Sequence, residues 1–146
     1  MKLLTATILT AIVAPMTPAH AATTPVPRLD VAQYDAPGTD TRAADSLNAE
    51  WISLVNDGGK PVSVTGWSIR EQGGRVYTFG AVTIAAKGRL WLHTGRGADT
   101  GEHRYWNSGN HLWNNTGDEA TLRDPAGRVT DTCAWTRQAN RTRVAC

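Results

Sequence analysis

The chain has 146 residues, of which 40% are hydrophobic and 19% charged, and it carries 2 cysteines and 6 tryptophans. This length suits one compact domain with a packed core and excludes a multidomain enzyme. The formal net charge of +2 gives no strong steering field, and the dispersed apolar residues exclude disordered, collagen-like and coiled-coil classes.

The N-terminus has the three parts of a secretory signal peptide. Met1-Lys2 precedes an apolar run over residues 3–14, and Ala19-His20-Ala21 forms a small-residue cleavage site. The run is shorter than the roughly 20 residues that a membrane span needs, and no later apolar segment is long enough either. We therefore expect residues 1–21 to be removed and residues 22–28 to form an extended leader of a secreted, extracellular protein.

Short runs rich in β-forming residues recur between turn signals along the rest of the chain. The predicted strands are 29–34, 50–56, 62–70, 76–79, 82–84, 89–93, 120–123 and 129–135. The turns between them carry glycine, or proline at a position that suits a type I turn. Spacing of this kind predicts an all-β sandwich or barrel with little helix.

Alternation of apolar and polar residues assigns an inward face to four of these strands. The predicted core pairs are Ile52 with Leu54, Trp67 with Ile69, Tyr77 with Phe79, and Leu90 with Leu92.

The segment 94–117 breaks the alternation, and long irregular segments in compact domains are commonly functional. Its candidate ligand-binding residues are Arg96, Tyr105, Trp106, His111 and Trp113. Aromatic rings beside polar groups can stack on sugars, bases or a protein partner. The alternative is that the two tryptophans cap one end of the core, because tryptophan is highly buried on average.

Cys133 and Cys146 are predicted to form a disulfide, because export places them in a compartment where disulfides persist. Closing a loop of this length stabilises the fold by about 3 kcal/mol in the chain-entropy model. The bond would hold the tail 137–146 against the domain. This tail carries three arginines and no acid, which suits a phosphate-bearing partner, although a solvated chain end gives the same pattern.

Several ordered motifs resemble the lamin-tail domain family. They are Leu47-Asn48-Ala49-Glu50-Trp51-Ile52 with Asn56, Gly66-Trp67, Tyr77-Thr78-Phe79, His93-Thr94-Gly95, and the string from Trp113-Asn114-Asn115-Thr116-Gly117-Asp118 to Asp131. The resemblance runs from about residue 29 to residue 135. It implies an immunoglobulin-like β-sandwich of about seven to nine strands over residues 29–136.

The family resemblance also bears on function. The chain resembles the stand-alone secreted bacterial form, since it has neither a coiled-coil rod nor a fused enzyme. Bacterial members look like accessory modules without catalytic residues of their own. The resemblance therefore implies a noncatalytic module.

The residues that carry the resemblance have structural explanations. They are Asn48, Glu50, Asn56, Gly66, Trp67, Phe79, Asn114, Asn115, Gly117 and Asp118. Gly66 lets the backbone pass close to a neighbour while Trp67 fills the centre of the sandwich. The loop Asn and Asp side chains bond to turn backbone, and the Glu50 carboxylate can accept backbone N–H groups from a loop.

Metal and catalytic sites have little support in the sequence. His93, His103 and His111 could hold zinc only if folding gathers them, because HExxH spacing is missing. Asp118-Glu119 with Asp124 lacks the alternating acids of a calcium loop. The sequence has no GxSxG turn, and its serines have no histidine partner by spacing. We predict no metal, no cofactor and no catalytic residue.

The sequence therefore predicts a secreted, noncatalytic and monomeric module that binds a cell-surface or extracellular polymer or protein through the segment 94–117. The alternative is a nucleic-acid-binding accessory protein, which the basic tail favours. A small hydrolase that uses one of the histidines is the third interpretation.

Overall fold

The computed structural model describes residues 27–146, so the predicted signal peptide and residues 22–26 of the leader lie outside the described residues. Eleven strands and one short helix form within that range. They are β1 (Arg28–Gln33), α1 (Ala44–Asn48), β2 (Trp51–Val55), β3 (Val62–Ser63), β4 (Ser68–Glu71), β5 (Val76–Thr78), β6 (Thr83–Ile84), β7 (Arg89–His93), β8 (His103–Tyr105), β9 (Gly117–Arg123), β10 (Val129–Thr136) and β11 (Arg143–Ala145).

Two sheets form the layers of a sandwich. The first sheet has the strand order β11-β1-β2-β7-β8, the second has the order β10-β9-β4-β5, and β3 pairs with β6 in a separate ribbon. Strands β7 and β8 run parallel, and the other pairs among residues 27–146 are antiparallel. The predicted immunoglobulin-like sandwich is confirmed.

The core lies between the inner faces of the two sheets. Six of the eight predicted core residues are at most 1% exposed, namely Ile52, Leu54, Ile69, Phe79, Leu90 and Leu92. Trp67 and Tyr77 are only partly buried and pack against the core from its edge. The prediction that Trp67 fills the centre is therefore wrong, and the fully buried side chains of residues 62–70 are Val64 and Ile69.

The predicted strand 62–70 is two strands, because the chain turns between β3 and β4. Gly66 has a φ of 78° there, a conformation that glycine adopts readily and other residues avoid. A Cβ at this position would lie 3.6 Å from Pro125, which is an ordinary contact. The positive φ, rather than a close approach, is therefore what requires glycine.

The sequence did not predict three elements, α1, β8 and β11. The extra strands raise the count to eleven from the expected seven to nine. Each of the three elements is at most five residues long, so none is long enough to show a periodic pattern.

The disulfide between Cys133 and Cys146 is confirmed. Cys133 lies on β10, an edge strand of the second sheet, and Cys146 directly follows β11, an edge strand of the first. Residues 143–145 pair with β1. The bond therefore joins the two layers along one side of the sandwich and makes the basic tail part of the first sheet. Among residues 27–146, no helix has the length and apolar character to cross a membrane.

Candidate functional site

Four ring side chains lie together on the outer face of the first sheet. The inward leucines of β7 are buried in the core, so alternation directs Trp91 and His93 to the opposite face. Strand β8 places His103 beside Trp91 and Tyr105 beside His93. All four side chains are partly exposed, and we call them the β7–β8 ring cluster.

The rings of the cluster are ordered against one another across the strands. Trp91 and His103 have centroids 5.2 Å apart with planes inclined by 19°, and His93 and Tyr105 have centroids 5.1 Å apart with planes inclined by 20°. Such near-parallel pairs are a favourable aromatic arrangement. Trp51 of β2 lies opposite His93 in the register and is also partly exposed. The aromatic surface therefore spans three strands.

A hydrogen bond joins the two histidines of the cluster. His93 Nε2 lies 2.9 Å from His103 Nδ1, and His93 Nδ1 lies 2.8 Å from the carbonyl oxygen of Asn48. The imidazole centroids are 5.2 Å apart, the separation expected when two rings meet edge to edge along an N–H···N bond of this length. The contact is thus an in-plane hydrogen bond rather than a face-to-face stack.

These partners assign the positions of the ring hydrogens in the neutral pair. A carbonyl oxygen only accepts, so His93 carries its hydrogen on Nδ1 and accepts on Nε2. His103 must then donate from Nδ1, which leaves a lone pair on its Nε2. Desolvation lowers the pKa of His93 from the usual 6.5, and the nearby His103 adds to the fall while the Asn48 carbonyl opposes it. Burial therefore favours the neutral ring of His93.

The five predicted ligand-binding residues do not form one surface. Trp113 is 3% exposed and belongs to the core. Trp106 is partly buried between Trp113 and Tyr77, with centroid distances of 6.1 and 5.7 Å. The expectation that Trp113 presents its ring to a ligand is therefore wrong, and the two tryptophans cap the core instead. Of the five, Tyr105 lies in the β7–β8 ring cluster.

Arg96 lies in the exposed turn after β7, where its backbone oxygen accepts a hydrogen bond from the Asn48 side chain at 2.8 Å, and it lines a cavity with Arg42. Asn48 Oδ1 is buried without a hydrogen-bond partner and faces Gly95, where an added Cβ would come within 2.5 Å of it. Asn48 therefore ties the end of α1 to this turn.

The buried carboxylate of Glu50 anchors the loop that follows β8. Its Oε1 accepts the backbone N–H groups of Leu112 and Trp113 at 2.7 and 3.1 Å, and the hydroxyl of Thr94 at 2.7 Å. Its Oε2 lies 2.9 Å from His111 Nδ1. Desolvation raises the pKa of Glu50, and these hydrogen bonds oppose the rise. The carboxylate therefore accepts loop N–H groups, the function that the sequence suggested for it.

The fold also brings Ser46 to 3.5 Å from His111 Nε2, which gives the order of a nucleophile, a base and a carboxylate. However, the same nitrogen lies closer, at 3.1 Å, to the carbonyl oxygen of Thr41. Because a carbonyl only accepts, Nε2 carries a hydrogen and has no lone pair for the Ser46 proton. His111 links the Thr41 loop to Glu50 through its two ring nitrogens. The histidine therefore holds the loop in place and does not activate Ser46.

The three histidines of residues 27–146 do not converge on one point. His93 and His103 lie on the outer face of the first sheet, whereas His111 is bound to Glu50. Throughout the part of the chain that the structure describes, no group of three or more His, Cys, Asp or Glu side chains is placed to hold a metal ion.

The polar motif residues make hydrogen bonds within the domain. The fully buried Asn56 donates to the carbonyl oxygens of residues 60, 84 and 85 and accepts the N–H of Gly58. Asn114 donates to Asp118 through its backbone and its side chain, at 3.0 and 3.3 Å, while Asn115 donates to Asp35 at 3.0 Å. Asn56 and Asp118 therefore fix turns. The prediction that Asn115 bonds to turn backbone is wrong, because its side chain bonds to that of Asp35.

Gly117 occupies a tight position at the start of β9. It has a φ of 147°, and a Cβ there would lie 3.2 Å from the Trp135 carbonyl oxygen. This residue therefore serves the backbone path into β9.

The basic tail forms a second surface. The tail arginines are Arg137, Arg141 and Arg143. None of them forms an ion pair within residues 27–146. A cavity of about 230 Å³ lies between the tail and β10, with the stacked rings of Tyr34 and Trp135 in its wall. The hydroxyl of Tyr34 donates to the backbone oxygen of Arg141 at 3.0 Å. The fold thus holds the tail in a fixed position.

Comparison with known proteins identifies the family. The family model of the lamin tail domain matches residues 22–137, and no curated protein matches the sequence. Lamin tail domains are noncatalytic immunoglobulin-like interaction modules. The match covers most of the chain and agrees with the two-layered sandwich. The chain therefore belongs to the lamin tail domain family.

Proposed function

We propose that this protein is a secreted, monomeric, noncatalytic module that binds an extracellular or cell-surface polymer through the β7–β8 ring cluster and Trp51. The observation that carries the proposal is the cluster itself. Its rings are partly exposed although the opposite face of the same strands supplies the core. Contiguous exposed apolar surface marks interaction sites more often than isolated exposed residues do.

The rigidity of the surface supports a binding role. The rings stand on paired strands, and Gly97 packs so closely on Tyr105 that an added Cβ would come within 2.6 Å of three ring atoms. Side chains that are already ordered lose little conformational freedom on binding. A linear array of rings also suits a repeating ligand, because each ring can contact a successive unit.

Export is the second part of the proposal. The N-terminal charge, apolar run and small-residue triplet support it. The disulfide is compatible with an oxidising compartment. A stand-alone module of the bacterial type would then meet its ligand outside the cell.

The test is co-sedimentation of the mature, disulfide-intact protein with insoluble cell-wall polysaccharide. We expect Trp91→Ala and Tyr105→Ala each to weaken retention, since one stacking ring is worth about 1–3 kcal/mol, or about 5- to 150-fold. Val129→Ala is the matched control, because Val129 is an exposed apolar residue of the other sheet. Unchanged retention of both ring variants would discard the proposed surface.

A second candidate function is nucleic-acid binding through the basic tail. The observation that favours it is the set of three arginines without ion-pair partners in the described chain. Three phosphate contacts predict a log–log salt slope of about −3 for duplex DNA. Fluorescence anisotropy with a labelled duplex between 50 and 200 mM salt measures it, with Arg141→Gln and Arg143→Gln expected to flatten the slope. Binding that changes neither with salt nor with these substitutions would exclude the tail as a nucleic-acid-binding surface.

A further inference from the structure

The geometry points to a neutral, hydroxyl-rich glycan as the polymer, held by a hydroxyl that donates to His103 Nε2 beside the ring of Trp91. This inference rests on the proposed function. It adds the chemical class of the ligand and the side chain that orients it.

The first step is the direction of the hydrogen bonds. The chain begins at the Asn48 carbonyl, passes through His93 and ends at His103. Every link donates towards Asn48, so the free end of the chain is the lone pair on His103 Nε2, which makes no hydrogen bond within residues 27–146. Hydrogen bonds in series polarise one another and strengthen the terminal acceptor. The site therefore selects a ligand that donates a hydrogen bond.

The second step is the surface beside that acceptor. The Trp91 ring lies parallel to His103 with centroids 5.2 Å apart, and both side chains are partly exposed. A sugar unit presents O–H donors at its edge and C–H groups on its face. An acceptor next to an aromatic ring matches that combination, because the ring supplies contact area and the polar group fixes the orientation.

The charges around the pair favour a neutral ligand over an anionic one. Arg104 points into the core at 8% exposure and is bound to the carbonyl oxygens of Thr100 and His103 and to Asp99. Arg89 of β7 is paired with Asp30 at 2.7 Å. The adjacent Glu102 is exposed, and β2 carries no charged residue. No unpaired cation among these groups is therefore available to a carboxylate or phosphate.

The experiment measures retention on insoluble cellulose and chitin at pH 7.5, with calcium alginate gel as the anionic comparison. Wild type is expected to bind both neutral glycans more tightly than alginate. His103→Gln keeps an acceptor and should bind like wild type. His103→Phe keeps a ring without an acceptor and should lose about ten-fold in retention. Glu102→Gln is the matched control and should be retained like wild type.

Two results would overturn the inference. They are a His103→Phe variant that binds like wild type and a preference for alginate over both neutral glycans. Absence of retention on cellulose and chitin by a protein that still binds cell-wall material through Trp91 would reject a neutral glycan as the ligand and leave the proposed function standing. A ring nitrogen NMR spectrum gives a ligand-free readout, and a hydrogen on His103 Nε2 at pH 7.5 would contradict the assigned chain.

Discussion

Replacement of Glu50 tests how the loop after β8 is held. Its carboxylate is 1% exposed and receives four donors, three on Oε1 and one on Oε2. Glu50→Gln keeps an oxygen for the three donors on Oε1 and loses the charge-assisted bond to His111, which costs about 1.5–3 kcal/mol. Glu50→Leu leaves three buried donors unsatisfied at about 1–3 kcal/mol each, so the total is at least about 3 kcal/mol.

The assay is urea unfolding followed by tryptophan fluorescence, since Trp113 and Trp135 are both buried in the core. The expected order of stability is wild type, then Glu50→Gln, then Glu50→Leu. A loss of this size is a large share of a typical domain stability of about 5–15 kcal/mol, so the leucine variant can fail to fold and the glutamine variant then carries the test. Glu119→Gln is the exposed control. A leucine variant as stable as wild type, or less damaging than glutamine, would refute the reasoning.

Three further predictions concern Trp106 at the edge of the core, the disulfide and the histidine pair. Trp106→Ala should lower the unfolding free energy by about 2–4 kcal/mol while the folded variant keeps its polysaccharide retention; a stable variant that loses retention would restore Trp106 to the binding surface. Cys133→Ser should lower stability by about 3 kcal/mol and expose the Cys146 N–H, which bonds to Asp30, to hydrogen exchange; unchanged protection would mean that β11 holds without the bond. For His93, the lowered pKa means that the unfolded state binds the proton more readily, so its contribution to stability is present above about pH 6.5 and is lost as the pH falls. Denaturation midpoints between pH 7.5 and 5 should therefore fall less steeply in His93→Gln than in wild type, and parallel curves would contradict this assignment.

The sequence predicted the long, alternating strands well because each carries its own pattern. In β2 and β7 the inward leucines and isoleucine alternate with other residues over five positions. Strand β8 shows no such pattern, since its inward residue is Arg104, a charged side chain whose hydrogen bonds to nearby carbonyl oxygens are visible only after folding. Its parallel pairing with β7 is likewise not local in the chain.

The candidate site was predicted less well than the fold. The lack of alternation over residues 94–117 suggested that its aromatic side chains are exposed. Trp113 is buried, and its backbone N–H is held by the carboxylate of Glu50, 63 residues away in the chain. The outward direction of Trp91 follows directly from the inward Leu90 and Leu92, so the sequence held that signal. The hydrogen bond between His93 and His103 could not be predicted from the sequence, because it depends on the register of β7 and β8.

The most direct measurement is a binding isotherm of the Trp91→Ala/Tyr105→Ala double variant against insoluble cell-wall polysaccharide at pH 7.5, beside wild type and Val129→Ala. Circular dichroism and the urea midpoint first establish that the double variant is folded. We expect wild type and the control to bind alike and the folded double variant to bind at least about 25-fold more weakly, because two rings contribute about 1 kcal/mol or more each. Equal binding by all three proteins would contradict the assignment of the β7–β8 ring cluster as the ligand surface.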